Sequence, residues 1–503
     1  MPIRFKPDAE AAYQHHLFPS NVFDLLSEDH DCFIFKDLID QMDTSEIEAG
    51  YSPQGQHPYH PKKILGILIY GYSHGVFSSR QLEKRCNEDL GFMYIAGMKC
   101  PNFRVLSDFR KEHGEFFRDC FKQTVQLALE MKLASLGHVS LDGSYFKANS
   151  SKHKAMSYRY LKEKEQALME QIEGLIEQAT QCDKEEDAEY GNRSGEELPK
   201  ELKFKQQRLK TIREAKAALE AREQALNPGQ VIDDKKQISF SDTEARIMGK
   251  GGKDYDYRYN GQISVDGDHQ MIVGQHVSQQ SNDQHEVEAA LEQIEQASGR
   301  KPDQMSLDNG YFSGENLTAL EKAEIDAYVA VGRGEKPAAT ALEPSDRKLI
   351  KADFCYEEND DVFRCPNGQV LVLKSQNAEG KRVYQGEIAI CQDCPLYQRC
   401  CTSKKGQART ITSDAHEAVR RRMRDKMAEE DSKAIYKRRK SIVEPVFGQT
   451  KNGGFCGFSV RGKEKVSGEF SLVCAAHNLK KMAKAIATGL VGPEFRKMRL
   501  QGA

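Results

Sequence analysis

Between residues 157 and 226 apolar side chains recur at heptad spacing, a pattern that no sheet can bury. Leu161, Leu168, Ile172, Leu175, Ala179 and Cys182 form one seam, and Leu202, Leu209, Ile212, Leu219 and Leu226 form a second after an acidic, glycine-containing break at 183–197. A hairpin of two helices satisfies both seams, and Asn227-Pro228-Gly229 ends it. The flanking text has a different period. Residues 138–148 alternate between a glycine and an asparagine, which predicts a strand. Residues 255–278 predict two strands around the turn Asp266-Gly267-Asp268. A helix over 285–298, a strand over 303–312 running into a turn, a helix over 314–324 and a strand over 326–332 follow. Residues 413–451 read as helical, with one awkward point at Pro445. The hairpin therefore interrupts a sheet.

A chain of 503 residues exceeds what one hydrophobic core supports, so two to four units are expected. Residues 1–56 carry few signals. Residues 60–135 predict short helices, with Pro61 in a first turn and a new start near Ser79. Arg80, Arg85, Arg104, Arg110 and Lys111 are expected to be exposed between those helices. That suits either a helical domain docking on DNA or a plain bundle with a solvated face. The net charge of -3 argues against a nucleic-acid binder until its distribution is considered: acid gathers in 159–226 and base in 404–451. Thirteen scattered cysteines do not form a secreted disulfide framework, and the polar start MPIRFKPDAEAAYQHH is no signal peptide. The longest apolar run, Ile64 to Tyr72, falls short of the roughly 20 residues a membrane span needs. A cytoplasmic protein without membrane contact is expected.

Three carboxylates occupy suggestive places: Asp142 in the first strand, Asp308 at the end of the fourth, and Glu444 in the last helix. Phosphoryl transfer on DNA uses two hard cations about 3.5–4 Å apart, held by oxygen ligands, and two neighbouring strands and one helix can supply them. An Asp before a Gly, as in Asp142-Gly143, also forms turns.

Several segments carry a resemblance. HGVFSSRQLEKRCNEDLGFMYIAG at 74–97 resembles the N-terminal domain of bacterial insertion-sequence transposases. SLDGSYFKANSSKH at 140–153 is similar to the first-aspartate motif of the DDE transposases. SLDNGYFSGENL at 306–317 is similar to the second, with Asp308, Gly310, Tyr311 and Ser313. YKRRKSIVEPVFGQTKNGGFCGFSVRG at 436–462 resembles the third, with Tyr436, Arg439, Glu444 and Lys451, and AHNLKKM at 476–482 resembles the usual tail. The resemblance covers about 60–500. It points to the group with a long helical insertion after the first aspartate and a cysteine cluster before the glutamate. One position departs: the arginine usual four residues before the glutamate is Lys440 here, with Arg439 beside it.

The resemblance implies a transposase that binds the inverted-repeat ends of its element and cleaves and transfers DNA strands. Asp142, Asp308 and Glu444 would hold two Mg²⁺ or Mn²⁺ ions. Tyr436, Arg439 or Lys440, and Lys451 would contact phosphates near the cut, with Arg80 and Arg110 as DNA contacts of the N-terminal domain. Double-stranded DNA is the implied partner, held by at least a homodimer. A DNA-binding relative without catalysis and a hydrolytic nuclease of the same fold are the alternatives. With the insertions removed, the element order is that of the ribonuclease-H-like α/β fold, a mixed sheet. The expected division is an N-terminal helical DNA-binding domain 1–135, a core of 136–155, 230–332 and 411–490, the hairpin insertion 156–229, a Cys-rich insertion 333–410 and a tail 491–503.

In that Cys-rich insertion Cys365, Cys391, Cys394 and Cys400, with Cys401 as substitute, have spacing that can close a structural Zn²⁺ site. Zinc would brace an insertion too small to build its own core. Reduced buried cysteines and a redox pair at the CxxC are the alternatives. Asp242, Arg246, His153, Asp283 and His285 stand near strand ends as further site candidates or as caps, and His477-Asn478 reads as a packing pair. The glycine-rich loop at 249–253 lacks the Walker pattern and reads as a flexible, phosphate-friendly loop.

Overall fold

The computed structural model describes residues 21–52, 58–150, 155–190, 200–249, 254–331, 348–378, 380–401 and 406–496, without the side chains of 178–190, 200–202, 493 and 496. His153, residues 250–253 of the glycine-rich loop, residues 191–197 of the acidic break, and the side chains of Ala179, Cys182, Leu202 and 183–190 lie outside the described residues. The chain divides into two compact units, Met1–Met131 with Leu472–Ala503, and Lys132–Ser471.

The first unit is helical. Its N-terminal part runs α1 (Asp31–Gln41), α2 (Ser45–Ala49), α3 (Pro61–Ser73), α4 (Ser79–Glu88), α5 (Leu90–Ala96), α6 (Phe103–Glu112) and α7 (Gly114–Glu130). The starts follow capping chemistry: Asp89 accepts from the N–H groups of Gly91 and Phe92, and Asn102 from those of Arg104 and Val105. Pro61 sits in the first turn of α3, where a missing N–H costs nothing. The helices enclose Phe35, Leu65, Leu68, Leu82, Leu106 and Phe117. α1 and α2 fall in the stretch that showed few sequence signals.

The second unit begins with β1 (His138–Lys147), β2 (Ala155–Ser157), α8 (Tyr158–Tyr190), α9 (Lys200–Leu226) and β3 (Gln237–Ser239). α8 and α9 bury Leu161, Leu168, Ile212, Ala215 and Leu219 against Ile238, and β2 pairs with β3 at their base. The heptad seams thus close a two-helix hairpin. Then come β4 (Arg246–Gly249), β5 (Tyr255–Asp266), β6 (Ile272–Ser278), α10 (Val287–Ser298), β7 (Gln304–Leu307), α11 (Gly314–Lys322) and β8 (Asp326–Val329). They form with β1 a six-stranded mixed sheet in the order β4-β5-β1-β7-β8, with β6 also on β5. β5 runs antiparallel to β1, whereas β7 is parallel to β1 and β8 to β7. A parallel neighbour requires a crossover, which α10 and α11 provide.

A separate antiparallel sheet holds β9 (Cys355–Glu357), β10 (Val362–Arg364), β11 (Val370–Gln376), β12 (Arg382–Gln385) and β13 (Thr410–Ser413), with the short helices α12 (Ile388–Gln392) and α13 (Tyr397–Cys400) before its last strand. It encloses Leu349, Phe354, Phe363, Leu371, Tyr384 and Ile411. The helical text beyond it resolves into α14 (Glu417–Lys426), α15 (Glu430–Lys437), α16 (Arg439–Ile442) and α17 (Glu444–Asn452), followed by α18 (Lys463–Ala487). Pro445 is awkward no longer, because it occupies the first turn of a new helix, α17.

Candidate active site

The pairing register of β1 with β7 builds the site. Ser140 lies opposite Ser306 and Leu141 opposite Leu307, so the residues that follow, Asp142 and Asp308, come side by side at the ends of two adjacent parallel segments. Strand spacing is about 4.8 Å. The register rests on buried contacts: Leu141 and Leu307 are fully buried, the Ser140 and Ser306 hydroxyls share a hydrogen bond of 2.6 Å, and His138 Nε2 meets Ser306 Oγ at 2.9 Å. The Asp142-Gly143 pair is not a turn, since β1 continues to Lys147. Asp308 ends its strand and caps a short 3-10 turn, accepting from Gly310 N at 2.7 Å.

The third carboxylate comes from the first turn of α17, and Arg439 of α16 links all three. Its Nη2 lies 2.8 Å from Asp142 Oδ2 and 3.9 Å from Asp308 Oδ2, while Nη1 lies 3.6 Å from Glu444 Oε1. The arginine side chain is 8% exposed; the carboxylates open outward, from 18% at Asp142 through 35% at Asp308 to 51% at Glu444. Burial pushes the Asp142 carboxyl up to about 6; Asp308 and Asp283 add to that, while the Arg439 charge and the Gly143 N–H oppose it. Burial works against the Arg439 charge, but Asp142 and Asp308 outweigh it and hold the guanidinium more firmly protonated than usual. Its Nε is buried without a hydrogen-bond partner among the described residues.

The other predicted contacts divide. Tyr436 is half-buried beside the trio, and burial raises its hydroxyl pKa first, ahead of its charged neighbours. Lys451 donates from Nζ to Ser144 Oγ at 2.5 Å and lies 5.2 Å from the Phe146 ring centre, so it faces β1 two residues beyond Asp142. Lys440 is exposed. In the helical unit, Arg80 and Arg104 are exposed and approach the Phe103 ring at 5.0 and 5.9 Å. Arg85 and Lys111 pair with Asp89 and Asp108. Arg110 departs from the expectation of exposure. It is buried, and its guanidinium donates to the Tyr72 hydroxyl, Phe77 O and Ser79 Oγ, because a guanidinium inside a bundle is held only by internal acceptors.

Of the weaker candidates, Asp242 is buried and accepts from the Tyr259 hydroxyl and Gly462 N. Arg246 donates to the Thr243 and Ala245 carbonyls, and His285 pairs with Glu315 on the surface. Asn478 is buried and donates to Thr124, consistent with packing. Asp283 lies next to the site. The sequence pattern did not single out its partners Asn260 and Gln262 on β5, although a signal existed: Asn260, Gln262, Ser264 and Asp266 place a polar group at every second position of a buried strand. Buried polar side chains in such a row need partners.

The donor set suits a hard divalent cation, since it consists of carboxylate oxygens only, one of them held above its ordinary pKa by burial and like charge. Among the described residues no group of three or more His, Cys, Asp or Glu is arranged to hold a metal ion as it stands; within the trio the Arg439 guanidinium takes up the space between the oxygens. The zinc expectation finds no support. Cys365, Cys391, Cys394, Cys400 and Cys401 line a cavity of about 860 Å³ without forming such a group, and none of them is in a disulfide. Burial holds the Cys400 thiol at about 12. The physical reason for expecting zinc also falls away, because the module has an apolar core of its own, with Cys365 and Cys400 packed against it.

Among the described residues no helix is long and apolar enough to cross a membrane. Residues 364–483 match the family described as Transposase DDE domain, and residues 20–112 match the Transposase domain (DUF772). The first match takes in Tyr436, Arg439, Glu444 and Lys451, and does not extend to Asp142 and Asp308. No curated protein and no solved structure matches the chain.

Proposed function

The chain belongs to the DDE transposases of the insertion-sequence type, and from that premise we propose that Asp142, Asp308 and Glu444 are the catalytic carboxylates of a DNA strand-cleaving and strand-joining site. The observation that carries the proposal is the meeting of all three on one guanidinium, although they lie far apart in the chain. The strand order β6-β5-β1-β7-β8, with only β5 antiparallel to its neighbours, supports a ribonuclease-H-like core.

Asp142, Asp308 and Glu444 would hold a pair of Mg²⁺ or Mn²⁺ ions, which when bound supply activation of the attacking hydroxyl and stabilisation of the leaving oxygen. The chain's own groups do the rest. Asp142 and Asp308, fixed by strand register, present oxygens that need no rearrangement of the sheet. Glu444, on a helix and half exposed, closes the set from the solvent side. Tyr436, Lys440 and Lys451 lie on the successive helices α15, α16 and α17 and bind the phosphates flanking the cut. Arg80, set on the Phe103 ring, is a phosphate contact of the helical unit, which binds the inverted-repeat ends. Two ends cut together require two chains, so the assembly on DNA is a homodimer. No zinc is part of this reading.

The test uses the full chain, Mg²⁺ and duplex DNA carrying the inverted repeats that flank its gene. Wild type is expected to cleave and join those ends. Asp142→Asn, Asp308→Asn and Glu444→Gln are each expected to lower the rate at least about 1,000-fold with DNA affinity kept within threefold. Variants that cleave as wild type does would leave a DNA-binding protein without chemistry at these residues. Cleavage without joined products would leave a hydrolytic nuclease.

A further inference from the structure

Asp283 lies in the segment between β6 and α10, and it is a carboxylate to which the chemistry above gives no part. Its Oδ1 accepts from Asn260 Nδ2 at 2.9 Å and from Gln262 Nε2 at 2.6 Å. Gln262 is fully buried, and its own Oε1 accepts from the hydroxyl of Tyr311, also fully buried. Asn316 of α11 completes the set by donating to the Asp283 carbonyl at 3.0 Å and the Tyr311 carbonyl at 3.1 Å. These side chains tie β5, the segment before α10, the turn after β7 and the start of α11 into one buried network.

This network bears on the two aspartates through glycine. Gln262 lies opposite Gly143 across β1 and β5, so by strand alternation its side chain and that of Asp142 point to opposite faces. A Cβ on Gly143 would stand 2.3 Å from Gln262 Nε2 and 3.0 Å from Asp283 Oδ1; one on Gly310 would stand 2.9 Å from Asp308 Oδ1 and 3.2 Å from Asp283 Oδ2. Neither glycine has a positive φ. Both are therefore bare for close approach, which lets the Asp283 carboxylate rest against the backbone one residue after Asp142 and two residues after Asp308.

We propose that Asp283 is a positioning residue: through Gln262 and Tyr311 it braces the backbone at Gly143, on the face of β1 opposite Asp142, and at Gly310 in the turn after Asp308, and so sets the spacing of the Asp142 and Asp308 carboxylates. The inference rests on the reading of those two as cation ligands. The bracing belongs to Oδ1 as an acceptor, a role that an asparagine amide oxygen can also fill.

The experiment compares full-length wild type, Asp283→Ala, Asp283→Asn, Gln262→Leu and the Asp283→Ala/Gln262→Leu double variant. Mn²⁺ binding to the DNA-free protein is read by electron paramagnetic resonance, alongside cleavage kinetics and thermal melting. Asp283→Ala is expected to weaken Mn²⁺ binding roughly 10-fold and to lower kcat about 100-fold, with KM for DNA within twofold. Asp283→Asn is expected to stay within threefold of wild type, and the double variant to be no worse than the poorer single one. An unchanged Mn²⁺ affinity in Asp283→Ala overturns the inference. So does an Asp283→Asn variant as impaired as the alanine, which would make the charge the active property, or a loss that only follows the melting temperature. Should the alanine variant fail to fold, Asp283→Asn and Gln262→Glu decide: the glutamate sets a second carboxylate against Asp283 and is expected to weaken Mn²⁺ binding, and two variants alike overturn the bracing. Wild-type protein that binds no Mn²⁺ removes the two-cation reading itself, and this inference with it.

Discussion

Ser140-Leu141-Asp142 and Ser306-Leu307-Asp308 are the same tripeptide, and the sheet lays one beside the other in register. A slip of one residue between β1 and β7 would put the two aspartates on opposite faces, so the serine pair and the two buried leucines are what align the site. The repeat is visible in the chain as text, but no local rule says that two distant strands will pair. The alignment has an electrostatic cost. Because the Asp142 carboxyl is raised from 3.8 to about 6 in the folded state, folding disfavours its ionised form. The associated stability is complete below about pH 4 and is lost as pH rises through 6. Without divalent cations, Asp142→Asn is therefore expected to stabilise the protein at pH 8 by about 1–3 kcal/mol, the gain being trimmed by the partner Arg439 loses, and to leave stability unchanged near pH 4. Urea titrations at the two pH values check this; a variant less stable than wild type at pH 8 refutes it.

At the scale of elements, the hairpin, the strands β1, β5, β6, β7 and β8, and the helices α10 and α11 were legible because each carries a period of its own. β2, β3 and β4 were not, being three or four residues long and too short to show a period. α14 shows a further kind of order that pattern cannot reveal. Glu417 in its first turn is fully buried, 2.5 Å from Lys351 Nζ, 2.5 Å from Ser413 Oγ and 2.8 Å from Arg421 Nε. Burial pushes its carboxyl up, but Lys351, Ser413 and Arg421 outweigh that and hold it at about 2. This contribution to stability is present above about pH 4.5 and is lost as pH falls towards 2. Glu417→Gln removes the buried negative charge that Lys351 and Arg421 face and is expected to cost about 3–5 kcal/mol at pH 7. Near-UV circular dichroism during denaturation measures it; a cost under about 1 kcal/mol would make the cluster incidental.

Across the whole molecule, charge and apolar surface are shared out by segment. The hairpin buries one seam, yet Tyr160, Met169, Ile176 and Phe204 stand exposed along α8 and α9. Apolar side chains on a helical surface suit contact with a second chain. Deleting 158–236 is therefore expected to reduce the complex on paired transposon ends from two chains to one, as read by light scattering, while a single end is still bound; an unchanged mass assigns the dimer contact elsewhere. By itself the amino-acid order determined the identities of the hairpin and of the main strands and helices, because periodicity, capping and turn chemistry act within a few residues, whereas the three carboxylates stood out only through a family resemblance. Only the tertiary structure decided that Leu141 meets Leu307, that Arg439 lies among the carboxylates, that Arg110 turns inward, and that the cysteine module encloses a core of its own. Those outcomes depend on which buried surfaces meet at long range, and nothing in a window of a few residues carries that information.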